Sequence, residues 1–363
     1  MHSLLNQLSR LPQEQTPIGL VPAKQPSVSF RKRIGLDNFL LLLLASLGLA
    51  YVWPEAGDRN SPLPLEEIST YGVACIFFFY GLRLSPTKMK EGLSDWRLHL
   101  VVQFSTFLLF PALVWAVFFM TGGLGLEPLL WLGIFYVATL PSTVSSSVVM
   151  VSIAGGNLPG AIFNASISSL LGVFLTPVLL GIFSSASSTS GAGIDLNSVI
   201  LKLLLQVVAP VTLGVLLHSR LGRLAEAHKA KLRIFDQAII LLIVFSSFCE
   251  SFSQNLFTDY SATTLFLLGL SMLGLFLLVT WLISFFCRRL GFTRENRIVA
   301  IFCGSKKSLV HGTVMSKVLF PGAATVGIIL LPLMLYHALQ LMAASMMAQK
   351  MARENPPSET EMA

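Results

Sequence analysis

The chain has 363 residues, of which 54% are hydrophobic and only 12% are charged. A soluble domain carries roughly 25% charged residues, so composition excludes an ordinary soluble enzyme or binding module and indicates a polytopic protein of a lipid bilayer. The net charge of +7 reads as basic loops on the cytoplasmic side rather than as a nucleic-acid surface, and no nucleic-acid partner is expected.

In chain order, residues 1–33 form a polar tail ending in Arg31, Lys32 and Arg33. The apolar run that follows is too long for a signal-peptide core and lacks a small-residue cleavage site, so it reads as an uncleaved first span. Ten spans are predicted, over residues 34–53, 68–84, 99–119, 128–152, 160–183, 198–217, 234–250, 262–287, 298–318 and 324–348. A Ser/Gly/Ala-rich stretch at 184–197 has linker composition and faces the periplasmic or extracellular side. Glu250 is expected at an outer helix end. Residues 349–363 form a polar C-terminal tail in the cytoplasm, expected to lack structure beyond its first residues.

Charge orients these spans. Of 25 Lys and Arg residues, 20 fall in the tails and loops assigned to the cytoplasm, one (Arg59) falls opposite, and Lys202, Lys306, Lys307 and Lys317 lie in spans. That bias puts both termini in the cytoplasm and suits a cell inner membrane. Cys75, Cys249, Cys287 and Cys303 lie within or at the ends of apolar runs without a close pair, so they read as packing residues rather than disulfides or metal ligands.

Five spans precede the linker (34–183) and five follow it (198–348). An odd number per half sends the second half into the membrane from the opposite side, which is what an inverted repeat requires. The predicted fold is therefore all-α, with ten transmembrane helices as two inverted five-helix repeats. An offset of 164 residues between the halves sets Ser142 opposite Lys306 and brings two interrupted spans into correspondence.

The fourth span is interrupted at Leu140-Pro141, followed by the hydroxyls of Ser142, Thr143, Ser145, Ser146 and Ser147. Pro141 lacks an amide donor and disfavours helix at Leu140. The plainer reading is a proline kink whose hydroxyls bond to nearby carbonyls. The ninth span holds Gly304, Ser305, Lys306, Lys307 and Ser308 at its centre. A lysine at mid-membrane costs roughly 2.5–3.5 kcal/mol, so two adjacent ones need a wet cavity, a partner or a ligand. Adjacent helical residues point about 100° apart, so both line one stripe only where the helix is broken. Which of the two faces the cavity is open at the sequence level.

Matched polar interruptions in two halves mark a transporter site, because unwound backbone is tolerated in a membrane only where solute, water or protein satisfies it. Asn164 and Ser168 share a face of the fifth span by their i, i+4 spacing and serve equally as site or as interhelical hydrogen bonders. Gln103 has the same two readings. His311 lies four residues after Lys307 and reads as packing beside the site. Gly155-Gly156-Asn157 reads as a cytoplasmic turn. No metal-ligand spacing, phosphate loop or Ser–His–acid set is visible, so no enzyme activity and no cofactor are expected.

Taken in order, Leu140-Pro141-Ser142-Thr143 with its serine run, Gly156-Asn157, Thr176-Pro177 and Gly304-Ser305-Lys306-Lys307-Ser308 resemble the bile acid:sodium symporter family, in its SBF-like branch, over about residues 34–348. The resemblance implies a panel of spans 1, 2, 6 and 7, a core of spans 3–5 and 8–10, and fourth and ninth spans that unwind and cross. It also implies transport of organic anions coupled to sodium by movement of panel against core. This chain departs from the sodium-coupled pattern: Phe302 stands at the expected Glu, Lys306-Lys307 at the expected Gln-Asn, and Ala161 and Ala165 where oxygen ligands are expected. The leading expectation is a secondary transporter of a small carboxylate-type organic anion, with the lysine pair in place of the sodium-site residues; a proton or sodium is the coupling ion, and the choice is open at the sequence level. The alternative is a membrane regulator of ion (calcium) homeostasis that moves no organic anion.

Overall fold

The structure is a computed structural model that describes residues 38–57, 61, 63–83, 95–123, 126–186, 204–258, 260–320 and 323–354. The expected N-terminal tail, the linker beyond Ala186, the end of the C-terminal tail, and Arg59, Lys88, Lys90 and Lys202 lie outside these residues. Regular structure among the described residues is helical: α1 (Asn38–Val52), α2 (Leu65–Arg83), α3 (Trp96–Thr121), α4 (Pro128–Thr139), α5 (Ser145–Ile153), α6 (Leu158–Ala186), α7 (Ala209–Ala227), α8 (Lys229–Ser253), α9 (Ala262–Arg289), α10 (Arg294–Ser305), α11 (Leu309–Leu319) and α12 (Ala323–Arg353). Six are long and apolar enough to cross a membrane, namely α2, α3, α6, α8, α9 and α12, while α1 and α4 are shorter apolar helices.

The fourth and ninth predicted stretches are each divided into two helices. Extended backbone at Leu140 (ψ 149°) ends α4, and at Lys306 (ψ 144°) ends α10. Other boundaries shift outward. α6 consumes the first residues of the expected linker, and α12 runs to Arg353, so the first part of the expected C-terminal tail is helix. In α12 the last turn carries Lys350 and Arg353, whose charged ends reach water while their stems cover apolar surface, so the helix continues past the point where hydropathy falls. Glu250 is 4% exposed, inside the last turn of α8, and accepts a hydrogen bond from Gln254 Nε2 at 2.7 Å.

Helix starts follow local chemistry. Asp95, Ser261, Thr293 and Ser308 each accept an amide hydrogen bond from the third residue on, at α3, α9, α10 and α11, satisfying otherwise orphan first-turn donors. The α5–α6 turn passes through Gly155 at φ +70°, a left-handed conformation that glycine adopts without strain.

Two groups of helices emerge from the packing. α1, α2, α7 and α8 pack on one another, and of these α8 makes the extensive contacts to the rest, against α11 and α12. Within this group α2 and α7 meet backbone to backbone: a Cβ at Gly81 would lie 2.2 Å from the Val211 carbonyl oxygen, and one at Gly214 would lie 2.2 Å from that of Phe78. Such small-residue approach is how apolar helices gain packing energy in a membrane, where hydrophobic burial gives no net drive.

Candidate functional site

The two interruptions meet. The Ser308 amide donates to the Pro141 carbonyl at 2.9 Å, joining one extended segment to the other. Pro141 can approach α6 because a Cβ at Gly172 would lie 2.6 Å from its ring.

Breaking a helix in an apolar interior exposes its last carbonyls and first amides, and each needs a partner. At the end of α4, Tyr136 O accepts from the Thr139 hydroxyl, Thr139 O from the Thr176 hydroxyl on α6, and Ala138 O and Leu140 O from the Lys307 ammonium. The Ser142 amide donates to Ser168 Oγ at 2.9 Å. In the second break, the Tyr336 hydroxyl donates to Ser305 O at 2.7 Å. Gln340 clamps the peptide groups of Lys307 from both sides, accepting from its amide at 2.8 Å and donating to its carbonyl at 2.7 Å.

Both lysines are 0% exposed, yet their surroundings differ. Lys307 Nζ donates to three backbone carbonyls: Thr106 at 2.8 Å, Ala138 at 2.7 Å and Leu140 at 2.9 Å. It also sits 4.1 Å from the centroid of the Phe110 ring, on the electron-rich face that attracts cations. Thr106 lies in a π-helical turn, Ser105–Leu109, within α3. The i→i+5 partner for its carbonyl would be residue 111, which is a proline without an N–H, so the oxygen is free for the ammonium. Among the described residues Lys306 Nζ has one hydrogen-bond partner, Ser146 Oγ at 2.7 Å. An ammonium carries three donors, so two remain available.

Around Lys306 the hydroxyls are linked. Thr143 Oγ1 lies 2.8 Å from both Ser146 Oγ and Ser147 Oγ, Ser142 Oγ lies 3.5 Å from Ser147 Oγ, and Ser147 donates to Phe302 O at 3.0 Å. The break thus gathers Ser142, Thr143, Ser146, Ser147, Ser168, Lys306, Lys307 and Ser308. The remaining expected site residues stand apart from the ammonium groups. Ser145 is exposed at the start of α5. Asn164 donates to Gly160 O in its own helix, and its carbonyl receives Gln103 Nε2 at 3.2 Å, so this pair ties α3 to α6. Ser305 Oγ donates back to Ile301 O. Gly304 packs against α9, where an added Cβ would lie 3.0 Å from Ile283 Cδ1. His311 is wedged between Ser308 and the rings of Tyr80 and Phe77 on α2.

Gln340, Tyr336, Tyr136, Thr106 and Phe110 are absent from the sequence-based site. Tyr336 and Gln340 are four apart in an apolar span, a polar face that the i, i+4 rule makes visible. Thr106 contributes its backbone, which no residue pattern reveals. The three carbonyl oxygens would suit sodium, a hard cation that prefers oxygen, but they already accept hydrogen bonds from the Lys307 ammonium. Phe302, at the position where the resemblance implies a Glu, has a buried apolar ring as its side chain.

A model of the SBF-like CPA transporter family matches residues 37–353 of this chain. The chain is 39% identical over 346 residues to an uncharacterized protein of Pseudomonas aeruginosa, covering 92% of this chain and 98% of that one. It is 36% identical over 320 residues to an Escherichia coli protein provisionally named symporter YfeH, covering 88% and 94%. It is 31% identical over 319 residues to the Mus musculus protein named sodium/bile acid cotransporter 7, covering 87% and 92%. The match extends through both interrupted helices and the helices that close around them: the chain belongs to the SBF-like CPA transporter family, within the bile acid:sodium symporters, and is a membrane transporter.

Proposed function

We propose that the protein is a secondary transporter that carries a small carboxylate-type organic anion across the cell membrane by alternating access. The observation that carries this reading is the fully buried Lys306 ammonium, with one hydrogen bond made and two donors to spare, beside the hydroxyls of Thr143, Ser146 and Ser147 at the junction of two broken helices. A desolvated cation needs an anionic or polar partner, and a carboxylate offers the acceptors that remain to be filled. The lysine pair stands in place of sodium-site residues, and a proton on a lysine is the coupling charge in preference to sodium.

In this reading the chain crosses the bilayer ten times, as two inverted repeats with both termini in the cytoplasm of a cell with a bacterial-type inner membrane. Chemical matching between the halves supports the repeat. In each, the helix that follows the broken pair, α6 or α12, supplies an acceptor for an amide of the break, Ser168 for Ser142 and Gln340 for Lys307. In each, it also supplies a hydroxyl to the last carbonyl of the preceding half-helix, Thr176 for Thr139 and Tyr336 for Ser305. The separate packing of α1, α2, α7 and α8 supports a panel that moves against the remaining helices.

The test is uptake of a panel of radiolabelled carboxylates into proteoliposomes, with imposed proton or sodium gradients. Replacing both lysines with Gln is expected to lower uptake at least tenfold. Undiminished uptake in the double variant refutes the role of the pair. A folded protein silent toward every anion moves the reading to a membrane regulator of ion balance.

A further inference from the structure

We infer that Lys307 is a resident cation, its ammonium permanently filling a cation site built from three backbone carbonyls and one aromatic face, so that Lys306 is left as the lysine that meets an exchangeable ligand. This assignment deepens the transport reading and rests on it for the identity of that ligand, but its own test needs no transported substrate.

Stoichiometry carries the inference. An ammonium has three N–H donors, and Lys307 directs one each to Thr106 O, Ala138 O and Leu140 O at 2.7–2.9 Å, the length of a charge-assisted hydrogen bond. The Phe110 ring covers it at 4.1 Å. No donor remains for a solute. The three carbonyls come from two breaks in helical bonding: Thr106 from the π-turn of α3, and Ala138 and Leu140 from the end of α4, where the backbone turns extended. Carbonyls converging from helix ends and unwound backbone are how transporters hold monovalent cations. Here the charge is supplied covalently, and the backbone from which it is tethered is fixed by Gln340, which bonds the Lys307 amide and carbonyl. The backbone turns between the two lysines, through extended Lys306, so neighbouring residues send their ammonium groups into different surroundings. Lys306 reaches a hydroxyl cluster and keeps two donors open.

A filled site has a consequence that a merely structural lysine lacks: removing the side chain should leave a vacancy that a small free cation can occupy. Purified full-length protein is compared as wild type, Lys307→Ala, Lys307→Met and Lys306→Met, by thermal unfolding in choline, sodium, ammonium or methylammonium chloride at matched ionic strength, together with binding of radioactive sodium. Lys307→Ala is expected to melt about 5 °C or more below wild type and to recover saturably with ammonium, methylammonium or sodium, because a ligand that binds only the folded state stabilises it by mass action. Choline, too bulky for the vacancy, should not restore it. Lys307→Met fills the space without charge and should fall without recovering. Wild type and Lys306→Met should bind no saturable sodium and show no saturable cation response. Saturable sodium binding to wild type, or a Lys307→Ala variant that no small cation stabilises, overturns the assignment. Should Lys307→Ala fail to accumulate, the wild-type sodium measurement decides alone. Because every readout is binding or stability, this assignment can fail while anion uptake persists, and it can hold while uptake is absent.

Discussion

Lys306 and Lys307 are neighbours in sequence and opposites in chemistry, one with a single hydroxyl partner and one with three carbonyls and an aromatic ring. Their shared cost is desolvation, which a buried charge recovers only through well-placed partners. Gln340 secures the arrangement, since its amide group bonds both peptide groups of Lys307. Gln340→Ala would leave a buried N–H and C=O unpaired, at about 1–3 kcal/mol each. The expected outcome is a clearly lowered melting temperature together with impaired anion uptake. Thermal unfolding beside proteoliposome flux checks this, and an unchanged melting temperature would show that the clamp contributes nothing. Residue types alone pointed to the lysines, since charge inside an apolar run is conspicuous. They did not separate the two roles, because those depend on atoms from α3, α4 and α5.

At the scale of elements, the informative features are interruptions. Pro141 in the fourth stretch and the Gly-Ser-Lys-Lys-Ser run in the ninth both mark places where the helical ladder fails, and each does become a gap between two shorter helices. The π-turn at Ser105–Leu109 left no such mark beyond Pro111, since a proline near the middle of an apolar run is equally compatible with a simple kink. Close helix contact is likewise a matter of particular glycines. Gly214→Leu would drive a side chain into the Phe78 carbonyl, and overpacking of this kind costs about 1–3 kcal/mol or more. Gly269→Leu, where nothing lies within 4 Å, is the matched control. The first is expected to lower the melting temperature by several degrees and the second to leave it unchanged; equal behaviour would show that α2 and α7 are not in backbone contact.

For the whole molecule, the distribution of basic residues and the grouping of helices bear on how the chain sits and moves. Of 25 Lys and Arg residues, 20 fall on the face assigned to the cytoplasm, a bias that orients membrane proteins. Fusion of a fluorescent protein or alkaline phosphatase after residue 363 is therefore expected to give fluorescence and no phosphatase activity. The reverse result would invert the topology. Among the described residues the extensive contacts between the two helix groups run through α8, whose C-terminal half packs on α12. A Cβ at Gly327 would lie 2.2 Å from Ser251 Oγ, so Gly327→Leu is expected to wedge the groups apart there and raise labelling of a cysteine placed at position 251, with no change in labelling if this contact is not a closing point.

By itself the sequence determined the class of protein, most of its apolar helices and the two stretches where helix would fail, and it carries the charge bias from which sidedness is proposed. These follow from local properties: apolar length against membrane thickness, charge against translocation, and proline or lysine against a hydrogen-bonded apolar rod. Only the tertiary structure decided which backbone oxygens face which ammonium, that Asn164 joins Gln103 instead of the lysines, and that Gln340 and Phe110 complete the surroundings of Lys307. The physical reason is that these partners are brought together by packing between distant helices, and a carbonyl oxygen looks the same at every position until a broken ladder sets it free.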